Sequence, residues 1–95
     1  MFSAMANPAT IAQALTLYRS KTGKTQEELA HAGRVTTATV HRIETGKVKS
    51  PDMITLAKIA AGLGAYGDAF LADATAAAKS AIEMLEEQRA DHEGR

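Results

Sequence analysis

Ninety-five residues with eleven basic and eleven acidic side chains make one small, formally neutral domain, too short for the usual cofactor-binding enzyme folds. There is no cysteine, which excludes disulfides and thiolate metal sites and fits a reducing cytoplasm. The even balance hides a polarity, because residues 1–50 hold seven basic groups against three acids and residues 51–95 four against eight; one half can meet a polyanion while the other stays away from it.

In chain order, Met1 to Ala6 shows neither a basic region nor a long apolar run, so no secretory signal is expected, and Met5 is an alternative start. No window of membrane-spanning length is expected. After an extension over residues 1–7, Asn7 and Pro8 read as a cap and a first-turn proline. Ile11, Leu15 and Tyr18 then recur at helical spacing, which predicts helix one from about Pro8 to Lys21, ended by Thr22-Gly23. Thr25-Gln26-Glu27-Glu28 is a capping box, so helix two runs from about Gln26 to Ala32 and buries Leu29 and Ala30. Thr36 caps helix three, and Gly46 closes it in the left-handed conformation. Ser50 as cap, Pro51 in the first turn and Asp52 at the positive end of the dipole start helix four. Its buried residues are expected to be Ile54, Leu56, Ala57, Ile59 and Ala60, and Gly62-Leu63-Gly64 should stop it.

From Asp68 to about Ala90 the chain has no helix breaker, giving helix five a span of roughly 34 Å. Leu71, Ala74, Ala78, Ala81, Leu85 and Gln88 follow the spacing of a coiled-coil seam, broadened by Phe70, Ala77, Ile82 and Met84. Four short helices cannot cover so long a stripe. Phe70, Leu71, Ala74, Ala78, Ala81, Ile82 and Leu85 are therefore expected to form a homodimer interface, the other arrangement being a helix that folds back over its own domain. With no strand pattern in the sequence, the expected fold is all-α, a compact five-helix domain. Residues 8–64 would form the main unit and residues 65–95 a dimerisation helix with an acidic frayed tail.

Helix three has two chemically distinct faces. Val40 and Ile43 share one, while Thr37, Ala38, His41 and Arg42 lie on or beside the other. A short helix with small, polar and basic outward groups can enter the DNA major groove, where arginine takes guanine O6 and N7 bidentately; an ordinary amphipathic helix with a solvated face has the same pattern. No catalytic set is visible: His31, His41 and His92 are scattered and no carboxylate pair joins them at metal-ligand spacing. Neither enzymatic activity nor a metal or cofactor is expected.

Taken together, Leu17-Tyr18-Arg19, Thr25 to Ala30, Val35-Thr36, Val40 to Lys47 and Leu56 to Ala60 match one pattern in type and spacing. From Leu17 to Leu63, about half its length, the chain resembles the helix-turn-helix of the Cro and phage-repressor (XRE-like) type, with helices two and three as the motif. One position departs from it. The family usually has glycine immediately before the position of Val35, where this chain has Arg34, with Gly33 one residue earlier. Either the turn is reshaped by one residue or an arginine bears left-handed strain.

The resemblance implies a homodimeric, cytoplasmic, sequence-specific DNA-binding regulator, a repressor of its own or an adjacent promoter. Its two recognition helices would read an inverted repeat with half-sites about 34 Å apart. Residue by residue, it implies base contacts from Thr37, Ala38 and Arg42. His41 lies on the same face, with base contact and simple solvation both open. Phosphate or backbone contacts would come from Gln26, Thr39, Thr45, Lys47 and Lys49, with Thr36 capping helix three and also reaching the DNA. Arg19 and Glu44 would form a buried structural ion pair. A reading of another class is an antitoxin or antiactivator that binds a protein partner through the acidic helix from Glu83 to Glu93.

Overall fold

Side-chain caps set where the helices begin. The computed structural model describes residues 9–93. The first helix, α1, spans Ile11–Thr22 behind Thr10, whose hydroxyl accepts from Gln13 N at 3.1 Å while Gln13 Oε1 accepts from Ala9 N at 2.9 Å. That reciprocal pair moves the start inward from the expected Pro8; Asn7 and Pro8 lie outside the described residues. α2 spans Gln26–Gly33 behind the expected capping box, in which Glu28 N donates to Thr25 Oγ1 at 3.0 Å and Thr25 N to Glu28 Oε1 at 2.9 Å. α3 spans Thr37–Glu44, capped by the Thr36 hydroxyl, and Gly46 follows it with φ 80°.

α4 spans Met53–Leu63, and its cap is Asp52 rather than Ser50, since Asp52 Oδ1 accepts from Thr55 N at 2.7 Å. The hydrogen bond from the Thr55 backbone is the main reason the Asp52 carboxyl is held below the usual aspartate range. A lowered folded-state value means that this stabilisation is complete above the ordinary value near pH 3.9 and is lost as pH falls through the folded one. Gly62 and Leu63, expected to stop the helix, lie inside it, and the break falls at Gly64 with φ 63°. A 3-10 turn at Gly64–Tyr66 leads directly into α5, Gly67–Glu93, 27 residues or about 40 Å long. Among the described residues there is no strand. Because α4, the turn and α5 follow without an intervening loop, they can equally be counted as one bent helix, and the expected count of five depends on the break at Gly64.

Every helix contributes to one core: Ile11, Ala14 and Leu15 from α1, Leu29 and Ala30 from α2, Val40 and Ile43 from α3, Ile59, Ala60 and Leu63 from α4, and Phe70 and Ala74 from α5. Two of the seven residues expected at a dimer interface, Phe70 and Ala74, are thus buried within the chain's own domain. The core runs on past residue 64 without a boundary. Ile54 and Ala57 are exposed, contrary to expectation. The inward arc of α4 is Leu56, Ile59, Ala60 and Leu63, at spacings of three, four and seven from its first member, and neither residue lies on it.

Close backbone approach explains the turn between α2 and α3. A Cβ on Gly33 would sit 2.7 Å from Lys58 O, and one on Gly62 would sit 2.8 Å from Gly33 N. Only glycine lets α2 and α4 meet so closely. Gly33 is therefore fixed by packing, and the left-handed residue of the turn falls on its neighbour, Arg34, with φ 60°. The turn keeps the usual register, at a strain of roughly 1 kcal/mol in Arg34.

Polar contacts and the last core residues seat the beginning of α5. The Tyr18 hydroxyl donates to Asp73 Oδ2, and the Tyr18 and Tyr66 rings lie 6.1 Å apart. The hydrogen bond to Asp73, followed by burial and the carboxylate's charge, raises the phenol above its ordinary pKa. Beyond Ala77 the helix leaves the domain, and Ile82, Met84 and Leu85 are 55%, 60% and 59% exposed.

One apolar window exists that was not expected, of mean hydropathy 1.2 within Met53–Gln88. Neither helix supplies it alone. α4 has 11 residues, about half the length needed to cross a bilayer, and the first part of α5 carries Asp68, Asp73, Lys79 and Glu83.

Replacing Gly33 with alanine should destabilise the fold by about 1 to 3 kcal/mol, because a backbone carbonyl must move to admit the methyl. Urea denaturation measures it; a variant as stable as the parent would show that α2 and α4 do not meet as closely as described.

Candidate nucleic-acid interface

Two apolar anchors and one carboxylate hold α3 against the domain. Val40 and Ile43 are fully buried, and Glu44, at the last turn, accepts from two other helices. Arg19 Nε donates to Glu44 Oε2 at 2.6 Å and Arg19 Nη2 to Oε1 at 3.1 Å, while Gln26 Nε2 donates to the same Oε1 at 2.9 Å. A third guanidinium bond, Arg19 Nη1 to Lys24 O at 2.9 Å, ties the loop between α1 and α2 into the cluster. The Glu44 side chain is 6% exposed and that of Arg19 22%, so the expected ion pair is present but open to water on the arginine side. Its hydrogen bond to Glu44 raises the Arg19 pKa, and the guanidinium stays charged at any ordinary pH.

With those groups turned inward, Thr37, Ala38, His41 and Arg42 all stand exposed on α3. Thr37 and His41 form one i,i+4 row and Ala38 and Arg42 the next. The eight-residue helix is about 12 Å long, comparable with the width of the B-DNA major groove. Glu44 is the acid in α3, and it is engaged by Arg19 and Gln26; the outward face has none.

The residues expected at phosphates are placed less uniformly. Lys47 and Lys49 are exposed beyond the C-terminus of α3. The Thr36 and Thr39 hydroxyls bond to each other at 2.8 Å, which leaves one hydroxyl proton of the two for another acceptor. Thr45 Oγ1 donates to His41 O at 2.9 Å, with Arg42 O at 3.2 Å, so its hydroxyl is directed back onto its own helix. Gln26 is half-buried, with one amide N–H spent on Glu44 and one remaining. Spacing alone does not disclose the Gln26–Glu44 bond, because it joins residues far apart in sequence. Among the described residues no group of three or more His, Asp or Glu side chains is arranged to hold a metal ion.

A capped α2, a tight left-handed turn and a second helix exposing a polar and basic face form a helix-turn-helix, and a family model described as a helix-turn-helix domain matches residues 10–74. The chain belongs to the helix-turn-helix domain family. The match is wider than the stretch of sequence that shows the resemblance, starting at the cap of α1 and ending at Ala74, the last buried residue of α5. The part of α5 that leaves the domain lies beyond it. Neither the curated proteins nor the solved structures give a match.

Removing the Glu44 carboxylate, by Glu44→Ala, would leave the donors of Arg19 and Gln26 without their acceptor. The expected loss is about 2 to 3 kcal/mol, below the roughly 3 to 5 kcal/mol typical of a fully buried pair because water reaches Arg19. Chemical denaturation checks this, and a loss well under 1 kcal/mol would mean that the cluster does not hold the helices together.

Proposed function

We propose that the chain is a sequence-specific DNA-binding transcriptional regulator of the Cro and phage-repressor type, a repressor that binds an inverted repeat as a homodimer. The observation that carries this reading is the outward face of α3, where Thr37, Ala38, His41 and Arg42 are exposed with no acid among them, within a helix-turn-helix domain. Arg42 reads guanine, and Ala38 or the Thr37 methyl meets a thymine methyl. Lys47 and Lys49 position the protein on the phosphates, together with Thr36, Thr39 and the remaining amide N–H of Gln26. Thr45 joins them only if its hydroxyl turns from His41 O. As a bacterial or phage regulator of this type it acts in the cytoplasm, on the nucleoid. A gel-shift comparison separates the roles. Arg42→Ala should cost about 1 to 3 kcal/mol of binding and relax the preference at one base pair. Lys49→Ala should weaken all sequences alike and lower the salt slope by about 0.9 per protomer, about 1.8 for the dimer. An unchanged preference in Arg42→Ala would remove that side chain from base reading.

The dimer reading is supported by the unsupported end of α5. Ala78, Ala81 and Leu85 continue the face that Phe70, Ala74 and Ala77 press into the core, with Ile82 and Met84 flanking it. A second copy of α5 laid along this stripe would cover it, and the alanines permit a close approach. Leu71, packed against the core, is at the margin of this surface. A partner protein docked on α5, the second reading of the sequence, would use the same overhang, with exposed Glu83, Glu86 and Glu87 on its other side. Light scattering on the double variant Ile82→Glu, Leu85→Glu decides between them. A dimer that becomes a folded monomer supports self-pairing. A parent chain that is already monomeric, or a double variant of unchanged dimer mass, excludes pairing through this helix.

A further inference from the structure

Arg34 holds a conformation that favours glycine, yet nothing in the fold calls for an arginine side chain there. Its φ of 60° is the one positive value among the described non-glycine residues. The turn is closed by backbone bonds alone, Arg34 N to His31 O at 3.3 Å and Val35 N to Ala30 O at 2.9 Å. Gly33, committed to the α4 backbone, cannot exchange places with it. The Arg34 side chain is exposed, and among the described residues it has neither a salt-bridge nor a hydrogen-bond partner.

No acid stands near it in the sequence. Between Glu28 and Glu44 the chain contains no acid, Glu28 is folded back as the α2 capping box, and Glu44 is held by Arg19 and Gln26. Arg34 stands two residues before Thr36, the cap of α3, at a Cα separation of at most about 7 Å. An extended arginine side chain covers a similar distance. In a recognition helix the N-terminal residues meet base edges, and the phosphates of the groove wall pass beside that end. A guanidinium there can grip a phosphate in two-pronged fashion.

We propose that Arg34 is a DNA phosphate contact delivered by the turn itself, and that backbone strain is retained at this position in exchange for the charge. This rests on the DNA-binding reading given above. The test compares the parent chain with Arg34→Gly and Arg34→Lys, using duplexes of random sequence over a range of salt concentrations and a thermal melt. Arg34→Gly should melt roughly 4 °C higher as the strain is relieved. It should also bind about five- to tenfold more weakly at low salt, with a salt slope shallower by about 0.9 per bound protomer, whereas Arg34→Lys should keep the parent slope. Parent-like affinity and slope in Arg34→Gly would overturn this inference while leaving the DNA-binding reading standing, and so would a slope lost equally in Arg34→Lys. A folded parent chain that binds no duplex at low salt would overturn both.

Discussion

A single carboxylate, that of Glu44, fixes the position of α3. It accepts from Arg19 on α1 and Gln26 on α2 while belonging to α3, so three helices converge on two oxygen atoms. An eight-residue helix has little stability of its own. Val40 and Ile43 supply the apolar hold, but apolar contacts are non-directional, and the bidentate pairing adds a defined rotation about the helix axis. The same arrangement also engages the one acid of a helix whose outward face is otherwise polar and basic. Fold and surface charge are settled together by one residue.

The second constraint is the approach of α2 to α4. Gly33 and Gly62 bring the two backbones nearly into contact, and Gly67 does the same between the start of α5 and α4, where a Cβ would lie 2.3 Å from Ala60 O. Each of these glycines is selected by space rather than by dihedral angle. Once Gly33 is fixed in this way, the chain must reverse at the next residue, and the strain passes to Arg34. The helices assemble by removal of side-chain volume at their crossings, and Phe70 is the largest fully buried side chain of the core they enclose.

Local rules made much of this legible in the sequence. The capping box at Thr25, the cap at Thr36, the inward pair Val40 and Ile43, and the outward face of α3 follow from spacing and short-range hydrogen bonding. The Arg19–Glu44 pair, by contrast, came only through the family resemblance. Local rules failed where several candidates lay side by side: Ser50 and Asp52 can both cap, and only the Thr55 amide distinguishes them. They failed again where a contact spans the chain, as for Tyr18 with Asp73 or Gln26 with Glu44. Helix five shows a third limit. Periodicity identifies an apolar stripe but not the body that covers it, so Phe70 and Ala74 were indistinguishable in sequence from Ala81 and Leu85.

That division within α5 has a thermodynamic consequence. From Ala78 to Gln88 every described side chain of the helix is exposed, and its order depends on intrinsic propensity and on continuation from the anchored turns. Alanine is the best helix former, and starting from a preformed helix avoids nucleation, yet about four turns in water are only marginally favourable. In the proposed dimer a second copy would therefore also have to firm this segment, and the entropy of firming would be subtracted from the contact energy. A dimer built on this overhang, as proposed above, would be a reversible association that responds to concentration, not a permanent one.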